Sequence, residues 1–467
     1  MKPSKTPGSL VLRDRIILLI LLTGAFLSPF DYFIVNLALP AIRSGLHTGT
    51  ADQQLIISAY ASAFAALLVT GGRLGDLVGR RKMFLTGIAG FTVSSVFCAC
   101  AFNGWSLIAG RAFQGAFAAI MTPQVVAFIK VIFNAEQQGR IMGLYSFVFG
   151  TASVAGQLIG GLLIAVHPFG ISWPSIFLIN VPVGIIAFWG GWRYLPENKA
   201  RSDEKIDYLG VLLLSLSLFL LIYSLSRGRE QGWPSSTIFL LAASIFVLML
   251  FVRTQVGLKR KGGSPLVDFQ FFRNRNFSIG LLLAFCFYWD SAFFLIFGIF
   301  VQNGLEWDAL RSGLAILPFG VGAIAGALLS GFIQQTPARL LCYGFTLLTV
   351  GFAFAALRLY NHGNPELIFY ISLAIAGTGH GITLPSVTRL VVGQVSAQKA
   401  GMASGMTAST LQIGSAFGAT FVGGIFLSLT AGNAGKPGYL RAFFLSLILL
   451  ACLYCLCVVI SLIVGRK

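Results

Sequence analysis

The sequence predicts an all-α integral membrane protein of fourteen spanning helices. They form two six-helix pseudo-repeat bundles with two further helices inserted between them. Three observations predict this. Of 467 residues, 56% are hydrophobic and only 10% charged, against about 25% charged in soluble globular domains, and the mean hydropathy is +0.83. The apolar residues fall in long continuous runs. A faint pattern of Gly and Pro recurs in the two halves of the chain.

The runs lie near 15–41, 53–73, 83–102, 105–129, 141–166, 173–192, 208–226, 237–253, 277–301, 312–333, 339–357, 367–388, 404–430 and 442–464. At roughly 20 residues per spanning helix they occupy about 280 residues. The remainder is short loops, with no room for a soluble catalytic domain. A β-barrel is excluded, because barrel strands are short and alternate apolar with polar. The first run exceeds the roughly 7–15 residues of a signal-peptide core. It also contains Asp31 and lacks a small-residue cleavage pattern, so it reads as a retained first helix.

The formal net charge of +18 does not point to nucleic acid, because the charges are sorted by loop. With the N-terminus inside, 25 of the 33 Lys and Arg fall on the inner side, seven on the outer side, and Arg111 within the membrane. This is the positive-inside pattern. It predicts a multi-pass protein of the cytoplasmic (inner) membrane with both termini cytoplasmic. The loop 227–236, outside yet bearing Arg227 and Arg229, fits it least well. All seven cysteines lie in expected spans. Cys452-x-x-Cys455 has a redox or metal spacing, but its apolar surroundings favour plain packing.

Pro123, Ala135, Gly139 and Gly143 recur 262 residues later as Pro385, Ala397, Gly401 and Gly405, and Gly115 recurs as Gly377. Both sets lie at the inner end of an even-numbered helix. Equal topology at equivalent points implies parallel repeats about an axis along the membrane normal, a transporter trait. The repeats are eight spans apart, so two helices are inserted. The expected organisation is a cytoplasmic N-terminus (1–14), a first bundle (15–206), two inserted helices (207–253), a basic linker (254–276) and a second bundle (277–467).

The densest motif is Gly71-Gly-Arg-Leu-Gly-Asp-Leu-Val-Gly-Arg-Arg-Lys82, expected in the short loop between helices 2 and 3. Its glycines permit a tight turn. Asp76 can pair with Arg80 or Arg81, or sit on a helix N-terminus. Gly71, Gly75, Asp76, Gly79, Arg80 and Arg81 are therefore the candidate latch between bundles. The simpler reading is that the basic residues only fix topology.

This motif resembles the signature of the major facilitator superfamily. Asp31-Tyr-Phe-Ile-Val-Asn-Leu-Ala-Leu-Pro40 resembles the first-helix motif of its fourteen-span drug:proton antiporter branch. Arg111-Ala-Phe-Gln-Gly115, Trp173-Pro-Ser-Ile-Phe-Leu-Ile-Asn-Val-Pro-Val-Gly184 and the linker Pro265–Phe277 resemble further patterns of that group. The resemblance covers nearly the whole chain and implies the major facilitator fold. The fifth helix departs from it: Gly156-Gln-Leu-Ile-Gly-Gly161 has Gln157 where the branch has proline, and the sixth begins Trp173-Pro-Ser where the branch has Trp-Arg-Trp. Gly156, Gly160 and Gly161 still allow close helix packing and are the candidate pivot. Gln157 adds a polar side chain to the candidate lining.

Ionisable residues inside spans are costly and are functional candidates by default. Asp31 and Arg111 lie at similar depth and could pair. Breaking such a pair would swing the proton affinity of the carboxylate; the alternative is a fixed structural ion pair. The resemblance places proton transfer near these two motifs. Asp290 lies mid-membrane in the ninth span with no partner visible in the sequence, and is a second candidate for proton coupling or a cationic substrate. His380 lies in Gly377-Thr-Gly-His-Gly381. It reads as a hydrogen-bonded packing residue, with a proton role kept open by imidazole chemistry. Tyr288 and Trp289, in an aromatic run around Asp290, are candidate lining residues suited to lipophilic cations.

Nucleotide-binding and hydrolase motifs are absent, and the spans hold no metal-ligand cluster. The expectation is therefore a non-enzymatic, cofactor-free carrier driven by the proton gradient. Its partners would be the bilayer, protons and a small amphiphilic substrate, and it would work as a monomer. Export of drugs by rocker-switch alternating access is what the resemblance implies. Export of one endogenous metabolite is the alternative.

Overall fold

The computed structural model describes residues 12–48, 50–197, 207–231, 233–307, 309–333, 335–362, 367–430 and 435–464. Among these the chain is almost wholly helical, without a strand. The first half comprises α1 (Leu12–Leu46), α2 (Thr50–Val78), α3 (Arg80–Ala99), α4 (Gly104–Ile132), α5 (Ala135–Val166) and α6 (Ser175–Tyr194). Then follow α7 (Tyr208–Gln231) and α8 (Ser235–Arg260). The second half comprises α9 (Arg275–Gly304), α10 (Arg311–Phe332), α11 (Pro337–His362), α12 (Leu367–Gly393), α13 (Ala400–Thr430) and α14 (Gly435–Val464). Among the described residues, thirteen helices are long and apolar enough to cross a membrane. The run expected at 141–166 lies on α5, 32 residues long, which is not among those thirteen.

Short polar signals start the helices. Asn103 and Ser106, and likewise Asn134 and Gln137, form reciprocal capping boxes at the starts of α4 and α5. Asn274 accepts from two N–H groups of the first turn of α9. Where the sequence suggested a loop over 71–82, the structure corrects the reading. Helix α2 continues to Val78, and only Gly79, at φ 113°, turns the chain into α3. A side chain would be strained there.

The helix pairing repeats with an offset of eight. Helix α1 lies along α5 as α9 lies along α13; α2 along α4 as α10 along α12; α3 along α6 as α11 along α14. The recurring glycines do the same work in both halves. A Cβ on Gly115 would stand 2.3 Å from Tyr60 O of α2, and one on Gly377 2.0 Å from Phe319 O of α10. Between halves the contacts cross over, α2 against α13 and α5 against α10. Gly405 abuts Leu68 O and Gly143 abuts Ala327 O, at 2.4 and 2.6 Å from an added Cβ. Small residues allow this backbone approach.

Contacts between the halves concentrate at the end bearing 71–82, called the latch end below. Toward the opposite end, Gly150 of α5 and Gly313 and Gly320 of α10 face open space. Of the additional helices, α7 packs on both α2 and α13, and α8 packs chiefly on α7.

Candidate functional site

In the first half, α1 and α4 bring Asp31 and Arg111 together. Both side chains are fully buried, and Arg111 Nη1 donates to Asp31 Oδ2. The other carboxylate oxygen accepts from Gln114 Nε2 at 2.8 Å and from Asn180 Nδ2 of α6 at 2.7 Å. Arg111 Nη1 also donates to Gln114 Oε1 at 2.7 Å, and Gln114 Nε2 donates to Ser95 Oγ of α3 at 2.8 Å. The guanidinium lies 4.3 Å from the centre of the Tyr60 ring on α2. Five helices thus converge on one carboxylate. A buried ion pair is tolerable only when its remaining donors and acceptors are satisfied; Gln114 and Asn180 do this for the carboxylate, while Arg111 Nη2 and Asn180 Oδ1 are buried without a partner among the described residues.

Gln114, Asn180, Ser95 and Tyr60 were not among the sequence candidates. Gln114 had a readable signal: it sits three residues after Arg111, on the same helix face. Asn180 had a weaker one, a lone amide in the apolar run after Trp173. Nothing local in the sequence marks Ser95 or Tyr60.

In the second half, α9 is broken at Tyr288–Asp290 by a 3-10 turn. Such mid-helix turns frequently mark hinges. The turn presents Asp290 to α12, where the sequence showed no partner for it; its partner is His380, whose Nδ1 hydrogen-bonds to Asp290 Oδ2. Asp290 is buried, while the His380 side chain keeps 19% exposure. Phe287 and Phe319 pack on the imidazole, with ring centres 5.0 and 5.7 Å away. Tyr288 stands near Tyr32 of α1 and Tyr145 of α5, across the gap between halves. Trp289 instead stacks on Phe421 of α13, at 5.9 Å and nearly parallel. Its indole N–H is buried and has no hydrogen-bond partner among the described residues.

At the latch end, Arg80 Nη2 donates to Asp76 Oδ1 at 2.9 Å. The same carboxylate accepts from the backbone N–H of Met402 at 2.8 Å and of Gly401 at 3.2 Å. Asp76 therefore caps the N-terminus of α13 from across the seam, a favourable end of the helix dipole for an anion. Arg80 reaches on to Ala397 O. Lys130, absent from the sequence candidates, donates to Val392 O and Val395 O at the C-terminus of α12. Arg81 does not cross; it pairs with Glu197 at 2.8 Å and with Trp192 O. Gly71 and Gly75 make no turn. They admit α4 against α2, since a Cβ would meet Ala119 O at 2.2 Å and the Gln124 amide at 1.9 Å.

Along α5, Gly156 and Gly160 lie against α1, with an added Cβ at 2.6 Å from Phe30 O and 2.8 Å from Ile34 O. Gly161 is half-buried. The side chain of Gln157 lies outside the described residues. Among the described residues no group of three or more His, Cys, Asp and Glu could hold a metal.

Comparisons with known proteins agree with this architecture. Residues 21–419 match the family model of the Major Facilitator Superfamily. The chain is 33% identical over 420 residues to a probable actinorhodin transporter of Streptomyces coelicolor, covering 89% of this chain and 73% of that one. It is 31% identical to the tetracenomycin C resistance and export protein of Streptomyces glaucescens, covering 88% and 76%. It is 30% identical to the cephamycin export protein CmcT of Amycolatopsis lactamdurans, covering 90% and 86%. Among solved structures, the human organic anion transporter MFSD10 superposes with a TM-score of 0.70 at 14% identity, over 97% of this chain and 100% of that one. A match over most of the chain, with the repeat, crossed seams and latch motif of the fold, leaves one assignment: the chain belongs to the major facilitator superfamily and is a multi-pass membrane transport protein, not an enzyme.

Proposed function

We propose that this protein exports small amphiphilic compounds across the cytoplasmic membrane in exchange for protons, by rocker-switch movement of its two halves. The observation that carries the coupling is the buried Asp31–Arg111 pair, held by Gln114 and Asn180. Ionised, Asp31 accepts every hydrogen bond offered to it. A proton on Asp31 turns one acceptor into a donor and removes the charge that holds Arg111. Helices α1, α4 and α6 then lose their common anchor. Asp290 and His380 provide a second proton-bearing pair, beside Tyr288 and Trp289.

With the basic latch end taken as cytoplasmic, the contacts of Asp76, Arg80 and Lys130 close the inner side. Substrate would then leave from the opposite end. Opening the inner side requires α13 to withdraw from Asp76. Two close glycine crossings, α2 on α13 and α5 on α10, leave room for the halves to rock, and α5 pivots on α1 at Gly156 and Gly160. The carrier works as a monomer with both termini in the cytoplasm and needs no cofactor beyond the proton gradient.

The names of the relatives support a drug-like substrate: they specify actinorhodin, tetracenomycin C and cephamycin. That favours one second reading, a carrier dedicated to one endogenous metabolite. Everted vesicles with an acidified lumen and a pH-sensitive dye separate the two. Lipophilic cations, neutral antibiotics and acidic metabolites are added to wild type and Asp31→Asn. Proton release by several compounds in wild type, abolished in the variant, supports multidrug antiport. Release by a single compound supports the dedicated carrier. Release by none, with the protein present in the membrane, removes proton-driven export.

A further inference from the structure

At the latch end a cavity of about 190 Å³ opens between the halves. Lys130, Gln138 and Met142 line it from the first half, and Pro337, Thr388 and Arg389 from the second. Its volume corresponds to roughly six water molecules. Two of its lining residues are cations and none is a carboxylate. Lys130 spends two of its three N–H donors on Val392 O and Val395 O. Gln138 is engaged with the carbonyls of Lys130 and Phe133 at 3.2 and 2.8 Å, and Thr388 with Leu384 O at 3.1 Å. Arg389 is half-buried and has no hydrogen-bond or ion-pair partner among the described residues. Across the seam it faces Gly139, where an added Cβ would lie 3.4 Å from its guanidinium.

Two cations lining one partly desolvated pocket, with no carboxylate among its lining residues, are unfavourable unless an anion joins them. A guanidinium fork beside a lysine point charge suits a phosphate oxyanion. Lys130 sits in the last turn of α4 and Arg389 about one turn before the end of α12, at the end of the fold where basic pockets between helices can meet lipid head groups. We propose that this cavity is a phosphate-binding site, filled by the phosphate of an anionic lipid headgroup or by free phosphate. Its walls come from both halves, so the anion binds the closed latch end and, by differential affinity, holds it closed.

The test uses the purified full-length protein in nanodiscs of phosphatidylcholine. Dioleoylphosphatidylglycerol is titrated in one arm and inorganic phosphate in the other, and the thermal unfolding midpoint is followed. Wild type is compared with Arg389→Gln, Arg389→Lys and Arg339→Gln, a basic residue of the same end outside the cavity lining. Saturable stabilisation of wild type and Arg339→Gln is expected, with half-saturation at least tenfold higher in Arg389→Gln. A response to phosphatidylglycerol alone identifies the headgroup; a response to inorganic phosphate identifies the free ion. No response to either, or an unchanged half-saturation in Arg389→Gln, overturns the proposal. Should Arg389→Gln fail to fold, Arg389→Lys decides, because the lost fork must weaken binding at least threefold and an unchanged value overturns the site.

Discussion

Between α1 and α4 the carboxylate of Asp31 faces Arg111; between the equivalent α9 and α12, the carboxylate of Asp290 faces His380. The repeat offset maps Asp31 onto Phe293 and Arg111 onto Leu373, so the second pair is not a copy of the first. Asp290 comes three residues earlier and His380 seven later. Since α9 and α12 run in opposite directions, both displacements point toward the latch end, by about 4 and 10 Å at 1.5 Å per residue. The same pair of helices thus carries an acid–base contact at two depths. The first is sealed, with both side chains at 0% exposure; the second keeps 19% exposure on an imidazole. In the proposed antiport, the first pair is broken by a proton on the acid, and the second offers a carboxylate and an imidazole to the proton.

The largest expected effect follows from the sealed pair. Arg111→Gln leaves Asp31 buried without its cation, which costs about 3–5 kcal/mol in comparable pairs. The thermal midpoint should fall steeply, and transport with it. Adding Asp31→Asn should restore much of the stability but none of the coupling, because the orphan charge is gone along with the proton acceptor. His380→Gln should cost less, since its partly exposed site can admit water. If Arg111→Gln and His380→Gln destabilise equally, the contrast between a sealed and an accessible pair fails.

The second effect concerns transport. In the proposed antiport an imidazole can pass a proton to and from the carboxylate it faces, which an amide cannot. His380→Gln should therefore lower substrate-dependent proton release while the protein stays folded in the membrane. Arg111→Lys keeps a cation beside Asp31 but loses the guanidinium fork, so it should slow transport less than Arg111→Gln does. Unchanged proton release in His380→Gln would reduce the Asp290–His380 contact to packing.

The two seams sharpen the comparison further. Asp76 caps α13 across the α2–α13 seam, while the turn from α10 to α11 offers α5 no carboxylate, Ala338 standing at the position equivalent to Asp76. A carboxylate on a buried helix N-terminus contributes up to about 2 kcal/mol. Asp76→Asn should thus favour the open latch end by up to about thirtyfold at 1.4 kcal/mol per decade. Spin-label distances between positions 136 and 398 would report it. No change in that distance distribution would reduce Asp76 to a topological residue.

Much of this was legible beforehand because membrane folding is dominated by a few strong constraints. Span positions follow from hydropathy, and the repeat from Pro123 and Pro385 with their flanking glycines. Asp31 and Arg111 stand out because charge in lipid is costly. What could not be read is what depends on packing between distant helices. The ring around Asp31 draws on Ser95, Gln114 and Asn180 from three different helices. The contact of Asp290 with His380, 90 residues apart, needs the turn at 288–290 to aim the carboxylate. Gly71 and Gly75 look like turn residues in a Gly-rich stretch; in the fold they serve helix crossing, which local composition does not distinguish.

The smallest effect separates the halves by how the linker is fastened. Asp268, between α8 and α9, accepts from Lys399 at 2.8 Å and Lys259 at 3.3 Å. Lys399 directly precedes α13, so the linker is tied to the second half beside the loop that Arg80 grips. Burial alone would raise the Asp268 carboxyl. The hydrogen bonds from Lys399 and the Gln270 N–H, with the charges of Lys399 and Lys259, outweigh it and hold the group below its ordinary value. A depressed acid stabilises the fold above its unfolded value, near pH 3.9, and loses that contribution as pH falls through the lower folded value. Asp268→Asn should therefore lower stability at pH 7 by no more than about 1 kcal/mol, since both lysines are partly exposed. The gap to wild type should narrow steadily in unfolding scans taken from pH 5 toward pH 3. A gap that stays constant over that range would mean that Asp268 acts through the shape of the linker and not through its charge.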